Sequence, residues 1–181
     1  MSATSAIAAT RCWVEKTVIG MNLCPFARPV VEAGRVRFAV SAATGFEQAL
    51  TDFAAELTRL DEHADVETTL FILAEGFAGF DQYLDLLAMA GALLADLGYQ
   101  GVYQLASFHP DYRFEDSASD DPANYTNRSP YPVLHLIRED SLEQALAAFP
   151  EPEKIPQTNI ETTRKAGLAR MRLLLASCID G

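Results

Sequence analysis

The chain has 181 residues, close to the usual size of one domain and long enough to bury a core without disulfide or metal support. Hydrophobic residues make up 49% and charged residues 22% of the sequence, which excludes a wholly disordered, collagen-like or coiled-coil chain. The 14 Lys and Arg against 25 Asp and Glu leave a net charge of −11, which argues against nucleic-acid and membrane partners because both are anionic.

Helical and strand-like patterns of apolar residues alternate along the chain. Strands are predicted at 35–40, 66–74, 101–108 and 133–138. Helices are predicted at 5–19, 44–60, 81–97, 141–149 and 158–178. The last four of these are expected to begin at the capping residues Thr44, Asp81, Ser141 and Thr158. Three prolines within 150–156 exclude a helix there and indicate a rigid connector before the C-terminal helix.

This order of elements predicts an α/β (α+β) fold. Strands joined by helices usually run parallel through right-handed crossovers, so the first three strands are expected to be parallel. The fourth strand follows the third without a helix and is expected to be antiparallel to it. The predicted architecture is a single domain over 1–181, in which helices pack on a mixed four-stranded sheet.

The cysteines point to a reducing compartment. They occur at positions 12, 24 and 178, form no CxxC pair and, being odd in number, cannot all pair with one another. The first ten residues lack the pattern of a secretory signal, and no apolar run approaches the length of a membrane span. We therefore expect a cytoplasmic protein with reduced thiols.

An irregular stretch from His109 to Tyr131 joins the third and fourth strands. A connection this long is usually functional or disordered, and its aromatic residues and three prolines favour an ordered loop. Loops that leave the C-terminal ends of parallel strands share one edge of the sheet, where open α/β folds bind ligands. The loop is therefore the predicted site.

Four segments resemble the signature blocks of a known family. They read NLCPFA at 22–27, SFHPDYRF at 107–114, DPANYTNRSPYP at 121–132 and LHL at 134–136. The family they resemble comprises bacterial proteins, with relatives in plants, and is classed as a domain of unknown function. The resemblance extends over most of the chain, from the first helix to Glu139, and implies no catalytic assignment.

Three side chains are candidates for catalysis. His109 ends the third strand among carboxylates, as a general base or anion ligand, or alternatively as a histidine that bonds its own turn. His135 is a second site residue if its ring faces the loop, and is otherwise a core histidine of the fourth strand. Cys24 is a candidate nucleophile or a buried structural thiol, and the end of the first helix before it raises rather than lowers its pKa.

Five loop residues are candidates for substrate binding. Arg113 and Arg128 can each grip a carboxylate or phosphate through two hydrogen bonds, or instead pair with acidic residues of their own loop. Asn124, Asn127 and Tyr125 can orient a substrate, although asparagine also closes turns.

These candidates favour an enzyme acting on a small anionic metabolite through residues 107–138, by hydrolysis, group transfer or elimination. The alternative is a non-catalytic interaction module that presents Tyr112, Tyr125 and Tyr131 to a protein partner.

The sequence assigns no cofactor. It lacks the glycine-rich patterns that bind nucleotide phosphates. Cys24, His109 and His135 lack the close spacing of a metal-binding motif, so no metal site is predicted.

Overall fold

A computed structural model describes residues 2–179 of the protein. The strands are β1 (Val36–Ser41), β2 (Thr68–Leu73), β3 (Tyr103–Phe108) and β4 (Val133–Arg138). The α-helices are α1 (Ala3–Trp13), α2 (Ala27–Glu32), α3 (Phe46–Glu62), α4 (Phe80–Asp96), α5 (Glu139–Ala148), α6 (Ile155–Ala166) and α7 (Leu168–Ile179). A π-helical segment at Val14–Ile19 continues α1, and short 3-10 helices lie at Pro122–Thr126 and Pro152–Lys154.

The strands form one mixed sheet in the order β1-β2-β4-β3. β1 and β2 pair in parallel, whereas β4 is antiparallel to both of its neighbours, β2 and β3. The mixed four-stranded sheet with packed helices and the antiparallel pairing of β3 with β4 confirm the prediction. The parallel arrangement expected for the first three strands is wrong in its pairing. β3 does not pair with β2, because β4 lies between them.

Burial explains why β4 takes the inner position. Val133, Leu134 and Leu136 of β4 are all fully buried. In β3, only Tyr103 is fully buried, and Gln104 is exposed. A strand that is apolar on both faces is most stable between two neighbouring strands, where both faces are covered. A strand with a polar side chain can occupy the edge of the sheet at less cost.

Helices α3 and α4 cover one face of the sheet. The spacing of Phe53, Leu57 and Leu60 places these α3 side chains in the core, as the sequence pattern predicts. Tyr83 and Leu86 of α4 are also fully buried in this core. They pack with inward-facing sheet residues that include Ala39, Phe71, Leu73, Tyr103, Leu134 and Leu136.

The other face carries α1, the π segment and α7. Ala6, Ala9 and Trp13 of α1 pack with Leu70 and Ile72 of β2. This second core also includes Val14, Tyr131, Val133 and Cys178.

Cys12 of α1 and Cys178 of α7 form a disulfide, with their Cα atoms 5.4 Å apart. The expectation that all the thiols are reduced is therefore wrong for these two residues. Their separation of 166 positions gives no local spacing signal, because only the packing of α1 against α7 brings them together. Cys24 is a free thiol.

Most predicted helix starts shift by a few residues. α3 and α4 follow Gly45 and Gly79, whose extended backbones begin the helices without a side-chain cap. Likewise, α5 begins at Glu139 and α6 at Ile155, so Thr44, Asp81, Ser141 and Thr158 are not the N-caps.

The C-terminal region contains two helices instead of one. The predicted connector at 150–156 ends early, because Pro156 is accommodated in the first turn of α6. Gly167 then ends α6 with a φ of +83°, a backbone conformation that favours glycine, and α7 follows directly.

Gly76 lies where the loop after β2 crosses the loop after β1. A Cβ atom on Gly76 would overlap the Ala43 carbonyl oxygen and lie 2.9 Å from the Thr44 Cα, so backbone would have to move. We expect Gly76→Ala to lower the free energy of unfolding by about 2 kcal/mol, measured by urea denaturation.

Gly79→Ala is the matched control for this substitution. Gly79 has a φ of −78° and no atom within 4 Å of its Cβ position, so the change should be neutral or slightly stabilising. Equal stabilities for the two variants would contradict the proposed overlap at Gly76.

Candidate functional site

The loop between β3 and β4 is held together by its own side chains. Asn124 is fully buried, and its Oδ1 accepts hydrogen bonds from the Phe114 N–H at 3.1 Å and the Ser117 hydroxyl at 2.5 Å. Its Nδ2 donates to the Ala118 carbonyl oxygen at 2.8 Å. Asn124 therefore closes the loop on itself, which matches the structural alternative for this asparagine.

Arg128 is also engaged within the loop. Its Nε donates to the Tyr112 carbonyl oxygen and its Nη2 to the Ser119 carbonyl oxygen, both at 3.0 Å. The guanidinium lies 4.7 Å from the centre of the Tyr125 ring, which is itself buried. These contacts leave little of the guanidinium free for an anion.

The remaining loop candidates do not converge on a shared hollow. The Asn127 Nδ2 donates to the Ser107 carbonyl oxygen at 3.0 Å, which fixes the loop to the end of β3. Arg113 is exposed. The Asp121 carboxylate pairs with both Nε and Nη2 of Arg164, at 3.1 and 2.7 Å, and so holds the loop to α6.

His109 is fully buried at the end of β3, and both of its ring nitrogens have backbone partners. Its Nδ1 accepts the Asp111 N–H at 3.0 Å, so Nε2 carries the proton and donates to the Phe77 carbonyl oxygen at 3.0 Å. The ring packs against Phe80 and Tyr83 of α4. This geometry corresponds to a histidine that bonds its own turn through Nδ1 and the loop after β2 through Nε2, and it leaves no free nitrogen for a general base.

His135 lies on the opposite face of the sheet. It sits in the middle of β4, opposite Leu70 of β2 and Ala106 of β3. Because His109 packs against α4, the sheet separates the two histidines, and the structure does not place them in one site. His135 instead lines a cavity of about 460 Å³.

This cavity, which we call the sheet–helix cavity, lies between the sheet and the surrounding helical segments. The π segment, α2 and α5 contribute its helical walls, and its volume is within the range of small-molecule sites. Its lining is apolar except for Cys24, Glu67, Thr68, His135 and Ser141.

The cavity exists because two helices do not pack closely on the sheet. Neither α2 nor α5 has a fully buried residue, although each turns apolar side chains toward the cavity. The rings of Phe26, before α2, and Phe149, after α5, meet edge-on with their centres 5.5 Å apart, which joins the two helices. Protein interiors leave few voids larger than a water molecule, so an apolar gap of this size is a candidate binding site.

Hydrogen bonding fixes the tautomer of His135. The Thr68 hydroxyl donates its single proton to the Leu136 carbonyl oxygen, at 2.5 Å. The 2.6 Å contact between Thr68 Oγ1 and His135 Nε2 therefore requires Nε2 to donate. The Nδ1 of His135 is left as a bare acceptor, with no hydrogen-bond partner among residues 2–179.

Cys24 contributes the free thiol of the cavity wall. Two hydrogen bonds hold the preceding residue, Leu23, in place. Its N–H donates to the Val18 carbonyl at 2.8 Å, and Asn159 of α6 donates to its carbonyl at 2.7 Å. Burial raises the pKa of the Cys24 thiol, and hydrogen bonds from the backbone N–H groups of Phe26 and Ala27 partly offset this increase.

Trp13 contributes part of its ring to the same wall. It is 2% exposed and lines the cavity, and its indole N–H is buried with no partner among the described residues. A buried donor without a partner is costly, so this N–H lowers the stability of the region around Trp13.

The cavity offers no free charge in the part of the chain that the structure describes. No Lys or Arg lines it. Its one carboxylate, Glu67, pairs with the Arg35 guanidinium at 2.7 Å. The walls therefore suit a neutral ligand better than an anion.

The structure thus groups Cys24 and His135 from the sequence-based candidates, but not with the loop residues. Sequence reasoning missed Trp13, Thr68 and helix α2. The π segment that brings Val14 and Val18 to the cavity has hydrogen bonds five residues apart, such as Gly20 N–H to the Glu15 carbonyl at 3.0 Å. Such segments often occur at functional sites, but the apolar pattern does not distinguish them from an ordinary helix.

The two buried histidines predict acid sensitivity. Burial lowers the pKa of His135 to about 4 and also lowers that of His109 from the ordinary value of 6.5. Below about pH 6.5 the unfolded chain binds more protons than the folded one, so stability is full above this pH and falls toward about pH 4. Urea unfolding between about pH 7 and 5 measures this loss.

The variant His135→Gln isolates the contribution of His135 to this acid sensitivity. Glutamine retains an amide donor for Thr68 but does not titrate, so its stability should fall less steeply with acid than that of the wild type. Identical slopes for the two proteins would show that His135 keeps its ordinary pKa when folded.

Two further structural facts apply to residues 2–179. No helix among them has the length and apolar character needed to cross a membrane. Within the same range, no group of three or more His, Cys, Asp and Glu side chains is placed to hold a metal ion.

Comparisons with known proteins identify a family without a described activity. A family model described as "Protein of unknown function (DUF1415)" matches residues 5–173. A search of curated proteins and a search of solved structures each found no match. Because the family model covers most of the 181-residue chain, the chain belongs to the DUF1415 family of proteins of unknown function.

Proposed function

We propose that the protein binds a small, neutral and largely apolar molecule in the sheet–helix cavity. The observation that carries the proposal is an apolar cavity of about 460 Å³ lined by His135, whose Nδ1 is an acceptor without a hydrogen-bond partner among the described residues. An apolar molecule with one hydrogen-bond donor satisfies that nitrogen and removes apolar surface from water.

The neutral character of the ligand follows from the cavity wall. An anion placed there would lose its hydration without meeting a cation, and Glu67 already has Arg35 as its partner. The neutral imidazole of His135 does not compensate an anion at physiological pH.

The hypothesis of an enzyme for anionic metabolites in the loop has less support from the geometry. Both ring nitrogens of His109 and most of the guanidinium of Arg128 bind backbone carbonyls or N–H groups. An interaction module that displays tyrosines is also less well supported, because Tyr125 and Tyr131 are 5% and 7% exposed.

The test uses the neutral fluorescent amine N-phenylnaphthylamine, which is apolar and has one N–H donor. Wild-type protein should give a saturable rise in fluorescence. Ala145 lines the cavity from α5, so Ala145→Phe should fill it and weaken binding by about tenfold or more. Ala147 is an exposed residue of the same helix, and Ala147→Phe should bind like the wild type.

Two analogues of the probe test the ligand chemistry. N-methylation removes the donor and should weaken binding by about fivefold to tenfold, because the His135 Nδ1 then stays unpaired. Anilinonaphthalene sulfonate, an anion that keeps both aromatic groups and the N–H, should bind far more weakly than the amine. Absence of saturable binding, or equal binding by Ala145→Phe, would exclude the cavity as the site.

A further inference from the structure

We infer that the Cys12–Cys178 disulfide regulates the sheet–helix cavity, so that the oxidised protein binds its neutral ligand more tightly than the reduced protein does. This inference rests on the proposed function and names a redox control of the same site. Neither cysteine lines the cavity, so the control acts through the helical wall that the disulfide holds.

The first support is the position of the disulfide next to that wall. Cys12 lies in the last turn of α1, and the two residues after it, Trp13 and Val14, line the cavity. The π segment then contributes Val18 to the same wall. Cys178 of α7 is buried in the same core as Trp13 and Val14. The disulfide therefore fixes the beginning of this wall to α7.

The second support is independent of the cysteines. The wall segment contains two buried polar groups, the Trp13 indole N–H and the Thr17 hydroxyl, that have no hydrogen-bond partner among the described residues. Each lowers the stability of the observed arrangement, because water would satisfy both groups in a looser one. The π-helical hydrogen bonds of the segment are also rare in proteins and occur mostly at functional sites. A rearrangement of this segment would relieve the two unpaired groups, and the disulfide opposes it.

Reduction of the disulfide removes this restraint. A dithiol supplies the two electrons and two protons, the sulfur–sulfur bond breaks, Cys12 and Cys178 become thiols, and the dithiol becomes a disulfide. The end of α1 is then held to α7 by packing alone. A ligand that binds the reduced protein must order the wall around Trp13 and Val18 as it binds, and this cost weakens its affinity.

The experiment compares N-phenylnaphthylamine binding by the oxidised protein and by the same sample in dithiothreitol. We expect the Kd to rise by at least about fivefold on reduction. Cys178→Ser should bind like the reduced protein with or without dithiothreitol. Cys24→Ser should show the same ratio of Kd values between its two redox forms as the wild type, because Cys24 takes no part in the disulfide.

A reciprocal measurement tests the coupling from the other direction. If the amine prefers the oxidised form, it must make the disulfide harder to reduce by the same factor, because coupling between two equilibria is symmetric. The protein is equilibrated with mixtures of reduced and oxidised dithiothreitol, with and without saturating amine, and the thiols are alkylated and counted by mass spectrometry. An unchanged reduction equilibrium would contradict the inference.

Loss of stability alone is separated from an effect on the cavity. Gly76→Ala should also be destabilised, but its disulfide is intact and Gly76 does not line the cavity, so it should bind the amine like the oxidised wild type. The reduced wild type should keep its far-UV circular dichroism spectrum. If it lost this spectrum together with binding, global unfolding would be the cause and the inference would be wrong.

The same titrations distinguish this inference from the proposed function. Equal Kd values for the oxidised and reduced proteins would overturn the redox control and leave the binding function intact. Absence of saturable binding by the oxidised protein would overturn the proposed function itself.

Discussion

Replacing His109 with alanine is expected to lower the free energy of unfolding by about 4 kcal/mol. The substitution removes a fully buried ring from between Phe80 and Tyr83, which leaves a cavity. It also leaves the Phe77 carbonyl oxygen and the Asp111 N–H without their partner. Urea unfolding near pH 8, where the histidine is neutral in both states, measures the effect.

Two more conservative substitutions separate the contributions of the two His109 hydrogen bonds to this loss of stability. His109→Asn can still accept the Asp111 N–H through its side-chain oxygen, and His109→Gln can still donate to the Phe77 carbonyl oxygen. Each is expected to cost less than alanine, because each keeps one of the two hydrogen bonds.

The backbone conformation of Phe77 makes the hydrogen bond between its carbonyl oxygen and His109 especially important for stability. The φ of Phe77 is +61°, a conformation that side chains other than glycine rarely adopt, and its ring is buried against Phe46. His109 therefore holds a strained backbone turn as well as its own loop.

Arg113→Ala is the control for His109. Arg113 is an exposed residue of the same loop, so its removal should change the free energy of unfolding by no more than about 0.5 kcal/mol. If His109→Ala lowered the free energy of unfolding as little as Arg113→Ala, then His109 would not be a buried ring held by two hydrogen bonds.

Reduction of the Cys12–Cys178 disulfide is expected to lower the free energy of unfolding by about 3 kcal/mol. The bond closes a loop of 166 residues, so breaking it greatly increases the conformational freedom of the unfolded chain. Urea unfolding with and without a reductant measures the difference. Cys178→Ser should be destabilised to a similar extent and should no longer respond to the reductant.

Cys24 supplies the control for this second prediction. Cys24→Ser should keep the full response to reductant, because Cys24 takes no part in the bond. Peptide mapping after alkylation under non-reducing conditions should label Cys24 and leave Cys12 and Cys178 linked. Labelling of all three thiols in the native protein would contradict the disulfide.

Local patterns predicted the strands well. β4 occupies the predicted residues 133–138, and the other three strands lie within two residues of the predicted ends. The alternation of Val133, His135 and Ile137 on one face of β4 is also observed, and it determines that His135 faces the cavity instead of α4. Such features depend on residues that are close in sequence, where periodicity is informative.

The candidate site was harder to predict because it depends on contacts between distant segments. Cys24 and His135 are more than 100 positions apart, and their shared cavity depends on how α2 and α5 pack. The loop from His109 to Tyr131 drew attention through its polar and aromatic residues, which the structure uses mainly to order the loop itself. Composition alone does not distinguish a side chain that binds a ligand from one that binds its own backbone.

The position of β4 also has a consequence for synthesis of the protein. β4 is the last strand to leave the ribosome, yet β2 and β3 each depend on it for hydrogen bonding. A nascent chain that ends before Val133 therefore exposes unpaired edges on both strands, and such edges readily pair with other chains. We expect truncated translation products to aggregate, and the sheet to assemble only after Arg138 has emerged.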